Sequence, residues 1–150
     1  MKILVTVGTS SFDRLIKAVD KEILDDQYQV TCQISDGTYK PKNHDFFHFS
    51  DQFPELLEQA DIVITHGGAG TIFQLLDMKK KIIVVPNLDR VDKHQTDLAT
   101  FVCNEGYAIV CNDLGQLQQK LKQCLIFKPN TYHKEEFFMA DELMHYFSLK

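Results

Sequence analysis

Long apolar runs are missing from this sequence of 150 residues. A helix that crosses a bilayer needs about 20 consecutive apolar residues, and no stretch here approaches that length. The first residues, Met1–Val7, follow a strand pattern and lack the apolar core of a signal peptide. We therefore expect a cytoplasmic chain.

An excess of basic residues is also missing. The net charge is −5, whereas proteins that bind nucleic acids usually present a basic surface to the phosphates, so we expect no nucleic-acid partner. The cysteines are far apart and form no CxxC pair, which excludes the usual metal and redox spacings. We interpret them as reduced, mostly buried thiols: Cys32, Cys103, Cys111 and Cys124.

Metal-ligand patterns are scarce as well. His44 and His48 are four residues apart, but the aromatic residues between and after them favour a short strand, in which two imidazoles do not form a compact ligand pair. We expect no metal site and no cofactor.

Apolar segments of strand type and of helix type alternate along the chain. This order predicts an α/β fold, with a Rossmann-like parallel sheet and helices on both faces. Ser10 and Asp13 form a plausible capping box for the first helix, and Gly106 is placed to end a later one. The predicted strands are 2–7, 28–34, 45–49, 61–65, 81–86 and 107–111, and the predicted helices are 12–25, 51–60, 70–79, 93–105 and 113–124.

A single domain accounts for most of the chain. With 44% hydrophobic and 25% charged residues, the composition suits one soluble domain, which we place at 1–128. Residues 129–150 are predicted to form a C-terminal helix with more than one apolar face. It would pack on the domain or dock a partner, with Phe137, Phe138, Leu143, Met144 and Phe147 as the leading docking residues.

A glycine-rich turn follows the strand 61–65. The segment HGGAG leads directly into an apolar-periodic helix, so the free N–H groups of the first helical turn favour an anion there. Gly67, Gly68 and Gly70 could also serve only to make a tight turn, because short glycine motifs often match by chance.

A second polar loop favours the binding interpretation. The strand 81–86 is followed by Asn87 and by a helix that opens with His94, Gln95 and Asp97. Loops that leave the carboxyl ends of parallel strands meet at one crevice, so these side chains and the glycine turn are expected to converge. Phosphate binding and hydroxyl binding together are what a sugar nucleotide needs.

These motifs resemble the donor-binding half of family 28 glycosyltransferases, which have the GT-B fold. The opening VTVGT followed by FDRLI is similar to the small catalytic subunit of bipartite UDP-sugar transferases, either of the eukaryotic dolichol pathway or of bacterial exopolysaccharide synthesis. The resemblance covers residues 1–111. It implies that a pyrophosphate loop is formed by His66, Gly67, Gly68, Ala69, Gly70 and Thr71.

The resemblance also implies roles for residues outside that loop. Gln95, with His94 and Asp97, would address the donor sugar, and Gln74 stands where relatives commonly place an acidic residue for the ribose. The backbone near Phe49 would read the base, although we expect its side chain to lie in the core. Further rim contacts are expected from Gly8, Thr9 and Ser10.

The activity implied by the resemblance is an inverting transfer from a UDP-sugar, UDP-N-acetylglucosamine or a related hexose, to a lipid-pyrophosphate-linked sugar. A membrane-associated partner subunit would carry the acceptor half and hold this chain at the membrane. No residue is an unambiguous general base. The alternative, favoured by Gln74, is a non-catalytic enhancer that activates a partner transferase.

Two other enzyme classes lack their motifs. A dinucleotide dehydrogenase would need GxGxxG, but Phe73 occupies the third glycine position after Gly68 and Gly70. A hydrolase that used HGGAG as an oxyanion hole would need a GxSxG nucleophile elbow, and the sequence has none.

Overall fold

The computed structural model describes residues 1–89 and 94–133. Within them the chain forms strands and helices in strict alternation apart from the adjacent second and third strands. The strands are β1 (Lys2–Thr6), β2 (Gln29–Gln33), β3 (Asp45–Phe47), β4 (Ile62–Thr65), β5 (Lys81–Val84) and β6 (Ile109–Val110). The helices are α1 (Asp13–Glu22), α2 (Phe53–Gln59), α3 (Ala69–Asp77), α4 (His94–Asn104) and α5 (Leu117–Ile126).

All neighbouring strands run parallel, in the order β3-β2-β1-β4-β5-β6. This is the strand order of the dinucleotide-binding Rossmann fold, in which the chain reverses direction across the sheet between β1 and β4. The predicted α/β class and parallel sheet are confirmed. The observed strands and helices lie within a few residues of the predicted ones, and β6 is the most shortened of the strands.

Helices cover both faces of the sheet because alternate residues of each strand point to opposite sides. On one face, Val5 packs in a buried cluster with Leu15 of α1 and Leu121 of α5. On the other face, Leu4 belongs to a second cluster with Ile72 of α3 and Leu98 of α4. The predicted two-sided arrangement is therefore confirmed.

The two predicted helix-end signals have different outcomes. Gly106 has a φ of +70° and its N–H donates to Cys103 O, so it ends α4 as predicted. The prediction of a capping box was wrong, because Phe12 is the N-cap residue of α1 and no side chain makes a capping hydrogen bond there. Asp13 instead accepts from Thr38 N and from Thr38 Oγ1, at 3.3 and 2.8 Å.

The predicted C-terminal helix lies mostly outside the described residues, which end at 133, and so do the five apolar docking residues. Asn130 N donates to Gly106 O at 2.8 Å. The Tyr132 ring lies edge-on to Tyr107, with centroids 5.6 Å apart, and 6.0 Å from Phe73. The start of the C-terminal segment thus packs on the α3 and α4 face of the domain.

Candidate functional site

The loops after β1 and β4 leave the sheet side by side at its carboxyl rim. β1 and β4 are paired, with Thr6 opposite Thr65, and the two loops lead to α1 and α3 on opposite faces of the sheet. A crevice opens where adjacent loops diverge in this way, and open α/β sheets bind their ligands there.

The imidazole of His66 fills the space between these loops. Gly8 has a φ of +67°, and a Cβ on it would lie 2.7 Å from His66 Cε1. A Cβ on Gly68 would collide with His66 Nε2. His66 N also donates to Thr6 O at 3.3 Å. Glycine is therefore required at both positions for the His66 ring to sit where it does.

The first turn of α3 presents backbone N–H groups at the crevice. Gly68 is the N-cap, and Ile72 N donates to Gly68 O as the first bond of the helical pattern. Ala69, Gly70 and Thr71 come before Ile72 in the helix, so their N–H groups have no carbonyl partner one turn earlier within it. Such N–H groups at a helix start are available to a ligand or to solvent. A Cβ on Gly70 would meet no atom of the described residues within 4 Å. Packing within residues 1–89 and 94–133 therefore does not require glycine at position 70.

Gln95 connects the glycine turn to the loop after β5. Its Oε1 accepts from Gly67 N at 3.3 Å and from Asn87 N at 3.0 Å. A Cβ on Gly67 would lie 2.5 Å from Gln95 Cβ, so the two backbones are in close contact. The structure thus brings together the two loops whose convergence the sequence predicted. His94 is half-buried and Asp97 is exposed in the same first turn of α4.

A hollow of about 300 Å³ opens at the carboxyl ends of β1, β2 and β3, on the side of α2 and α3, and we call it the rim hollow. Its lining residues are Thr6, Gly8, Thr9, Gln33, Phe47, Phe49, Ser50, Phe53 and Thr71. The expectation that Phe49 lies in the core was wrong, because the residue is 59% exposed at the mouth of this hollow. Gln74 is exposed one turn after Thr71, on the same helical face.

Gln33 is a part of this region that the sequence interpretation missed. The residue is buried, and its side chain links the ends of β1 and β3. A signal was present, because Gln33 is an amide at the carboxyl end of a parallel strand, and such strand ends carry binding residues. Ser10 is half-buried beside the same loop.

The loop between β2 and β3 is fixed onto α1 by Asp20. Asp20 accepts from Tyr39 Oη at 2.6 Å, Lys42 N at 2.9 Å and Asn43 N at 2.8 Å. Burial alone would raise the pKa of the carboxyl, but these donors and the nearby His44 lower it. The charged form therefore contributes stability above its unfolded pKa, and that contribution is lost as pH falls through the folded pKa.

The four cysteines and His48 lie outside the crevice. Cys32, Cys111 and Cys124 are buried, Cys103 is exposed, and none is in a disulfide. Burial raises the pKa of Cys32 to about 12 and that of Cys124 to about 11. His48 Nδ1 lies 2.7 Å from Ser35 O.

Residues 1–89 and 94–133 contain neither a metal-binding cluster nor a membrane-spanning helix. No group of three or more His, Cys, Asp or Glu side chains is arranged to hold a metal ion in those ranges. No helix there has the length and apolar character needed to cross a membrane.

Comparison with known proteins adds to this geometry. The chain is 34% identical over 123 residues to the UDP-N-acetylglucosamine transferase subunit ALG13 of Mus musculus, covering 71% of this chain and 10% of that protein. It is 31% identical over 142 residues to a UDP-N-acetylglucosamine--N-acetylmuramyl-(pentapeptide) pyrophosphoryl-undecaprenol N-acetylglucosamine transferase of Streptococcus pneumoniae, covering 88% of this chain and 38% of that protein. It therefore spans less than half the length of either relative.

Solved structures show the same fold. An NMR solution structure of ALG13 superimposes with a TM-score of 0.64 at 18% identity, and the match covers 96% of both chains. The family model for the glycosyltransferase family 28 C-terminal domain matches residues 2–143. The fold, the rim geometry and this match agree, and the chain belongs to the glycosyltransferase family 28 C-terminal domain family.

Proposed function

We propose that this chain is the donor-binding catalytic subunit of a two-component inverting glycosyltransferase. It would move a sugar from a UDP-sugar, UDP-N-acetylglucosamine or a related hexose, to a lipid-pyrophosphate-linked sugar. The observation that carries this proposal is the junction at Gln95, which joins the glycine turn to the loop after β5 beside the open N-terminus of α3. Relatives named as UDP-N-acetylglucosamine transferases support the donor.

The diphosphate would lie against the first turn of α3. The N–H groups of Ala69, Gly70 and Thr71 and the positive end of the helix dipole favour an anion there. Gly70 leaves space into which a phosphate can approach the backbone closely, since a Cβ there would meet no atom of residues 1–89 and 94–133 within 4 Å. His66, packed between the two glycine loops, would hold that surface in place.

The uridine would extend from the diphosphate into the rim hollow. Phe49 offers an exposed ring at the mouth, and Thr71 connects the lining of the hollow to the phosphate end. Gln74 follows on the same face of α3, where its amide would bond the ribose hydroxyls. Gly8, Thr9 and Ser10 would border the same ligand from the β1 side.

The donor sugar would lie on the α4 side of the crevice. Because Gln95 Oε1 already accepts two backbone N–H groups, its Nε2 amide is the group that would donate to a sugar hydroxyl. His94, Asp97 and Asn87 lie close enough in sequence to add contacts from the same loop and helix start.

The chemistry proposed for this chain is stabilisation of the leaving group. UDP gains negative charge as the glycosidic bond breaks, and N–H groups already oriented at α3 stabilise that charge without rearrangement. No residue of the site is assigned as the general base. The proposal gives the acceptor, the base and the membrane attachment to a partner subunit, in keeping with the word subunit in the name of the mouse relative.

Gln95→Glu provides a sharp test of this proposal. The variant keeps an oxygen for Gly67 N and Asn87 N but loses the amide donor, so the loops should stay joined while sugar recognition weakens. NMR titration without divalent metal should show a larger loss of affinity for UDP-N-acetylglucosamine than for UDP, because the added charge lies near the diphosphate of both ligands and only the sugar also loses the amide donor. Gln118→Glu on the exposed side of α5 is the control. Equal affinities of Gln95→Glu and the unchanged chain for the UDP-sugar would contradict the role of Gln95.

The enhancer is the second candidate, and Gln74 favours it because an amide bonds a ribose less strongly than a carboxylate does. The two functions separate in a transfer assay with the partner subunit present. If this chain is catalytic, blocking the α3 N-terminus with Gly70→Val should abolish transfer while the complex still forms. Transfer that persists with this variant would favour the enhancer.

A further inference from the structure

Gln33 occupies the point where three parallel strands end. Its side chain lies at the carboxyl end of β2, between β1 and β3, and only 4% of the residue is exposed. It also lines the rim hollow. A buried amide must find partners for its donors and its acceptor, so the position of its neighbours is constrained.

All the hydrogen-bonding capacity of this amide is used by the protein. Oε1 accepts from Thr6 Oγ1 at 2.6 Å and from Val7 N at 3.0 Å. Nε2 donates to Gly8 O at 2.9 Å and to His48 O at 3.2 Å. An amide has two donors and two acceptor lone pairs, so none remains for a ligand.

These four bonds join the two walls of the rim hollow. Gly8 belongs to the turn after β1, which also contacts the His66 ring. His48 directly precedes Phe49, whose exposed ring stands at the mouth of the hollow. Because one rigid amide bonds both carbonyls, it fixes the distance between the two turns.

We propose that Gln33 is a positioning residue for the nucleobase, acting through Gly8 and the turn that carries Phe49. This inference rests on the proposed function, since it takes the rim hollow to be the site of the uridine. Gln33 sets the width of the hollow, and none of its four hydrogen bonds reaches α3. It should therefore influence nucleotides far more strongly than a bare diphosphate.

The first test compares Gln33→Met with the unchanged chain in NMR titrations of UDP, UMP and inorganic pyrophosphate. Methionine has a similar length but leaves Gly8 O, His48 O and Val7 N without this partner. Binding of UDP and UMP should weaken at least about tenfold, which corresponds to about 1.4 kcal/mol, while pyrophosphate binding stays the same. Gln29→Met is the matched control, because Gln29 lies on the same strand at the opposite rim and is exposed.

The second test uses Gln33→Glu and pH. A carboxylate keeps the acceptor side but opposes two carbonyl oxygens, whereas a protonated carboxyl can donate to one of them. The UDP affinity of this variant, divided by that of the unchanged chain at each pH, should rise as pH falls. If Gln33→Met fails to fold, this ratio decides the question, and a flat ratio overturns the inference.

The outcomes separate this inference from the proposed function. Failure of the unchanged chain to bind UDP would overturn both. The second outcome applies if the unchanged chain binds UDP. The positioning role alone is then overturned if the Gln33→Met variant folds and its UDP affinity is within about twofold of that of the unchanged chain. A loss of pyrophosphate binding as large as the loss of UDP binding would also overturn it, because Gln33 would then act on the whole rim.

Discussion

The two rims of the sheet both carry hollows and polar groups, but the groups have different partners. At the amino rim, Lys80 Nζ donates to Glu58 O at 2.6 Å and to Ala60 O at 2.8 Å, and Lys81 Nζ donates to Leu125 O at 3.0 Å. These ammonium groups cap the last carbonyl groups of α2 and α5. At the carboxyl rim, the first N–H groups of α3 stand beside an open space at Gly70.

Size alone would have pointed to the rim opposite the proposed site. The amino-rim hollow, lined by Lys79, Lys80 and Lys81 among others, measures about 380 Å³, against about 300 Å³ for the rim hollow. The smaller one lies at the end of the sheet where parallel α/β folds bind ligands. The proposed site therefore rests on the partners of the polar groups and on the position in the sheet, and the volumes do not support it.

Among the substitutions at the two rims, Gly67→Val should have the largest effect on stability and on UDP binding. A Cβ on Gly67 would lie 2.5 Å from Gln95 Cβ and 3.0 Å from Gln95 Cα, and neither atom can rotate away. We expect a loss of about 1–3 kcal/mol in the free energy of unfolding and a loss of UDP binding. Chemical denaturation and NMR titration measure the two quantities. Unchanged stability would mean that the two loops are not packed as described.

Gly70→Ala should separate binding from stability. The new methyl group meets no atom in the part of the chain that the structure describes. Alanine is favoured over glycine inside a helix by about 0.8–1.0 kcal/mol, with a smaller gain in the first turn. The melting temperature should stay the same or rise, while UDP affinity falls about tenfold because the methyl group occupies the approach of the phosphate. Unchanged UDP affinity would place the diphosphate elsewhere.

Lys80→Met tests the amino rim. Removing the ammonium group leaves Glu58 O and Ala60 O to solvent, and we expect the free energy of unfolding to fall by about 1 kcal/mol. UDP affinity should not change, because the substitution lies at the opposite rim. A clear loss of UDP affinity in the folded variant would contradict the assignment of the two rims.

Gln74→Glu should have the smallest effect, and this effect should be tighter UDP binding at the carboxyl rim. A hydrogen bond to a charged group contributes about 1.5–3 kcal/mol against about 1 for a neutral one, and the exposed position reduces the difference. We expect UDP to bind a few-fold more tightly, with Gln118→Glu on α5 as the control. Weaker binding by the folded variant would mean that Gln74 does not meet the ribose.

The sequence predicted the sheet and the meeting of the two loops because both follow from local patterns. Continuous apolar runs located β1, β4 and β5, and parallel strands bring their carboxyl ends to one rim. It did not predict that Gln95 Oε1 bonds Gly67 N, because the partner of a side chain depends on the packing of α4 against the turn. The HGGAG pattern alone gave all its glycines one role.

The structure assigns those glycines different roles. Gly67 and Gly68 are needed by neighbouring side chains, Gln95 and His66, whereas Gly70 is next to open space. Asp13 and Phe49 were misinterpreted for a related reason. Asp13 bonds a loop 25 residues away and Phe49 lies beyond the end of its strand, and neither fact is encoded in local periodicity.

The central claim is that the carboxyl rim holds a UDP-linked donor. Titration of the ¹⁵N-labelled chain with UDP, without divalent metal, tests it most directly by mapping the amide shifts onto the two rims. We predict the largest shifts at Gly8, Phe49 and residues 67–71, with little change at residues 79–81 and a much weaker response to NAD. Shifts confined to the lysines of the amino rim, or an equal response to NAD, would contradict the account.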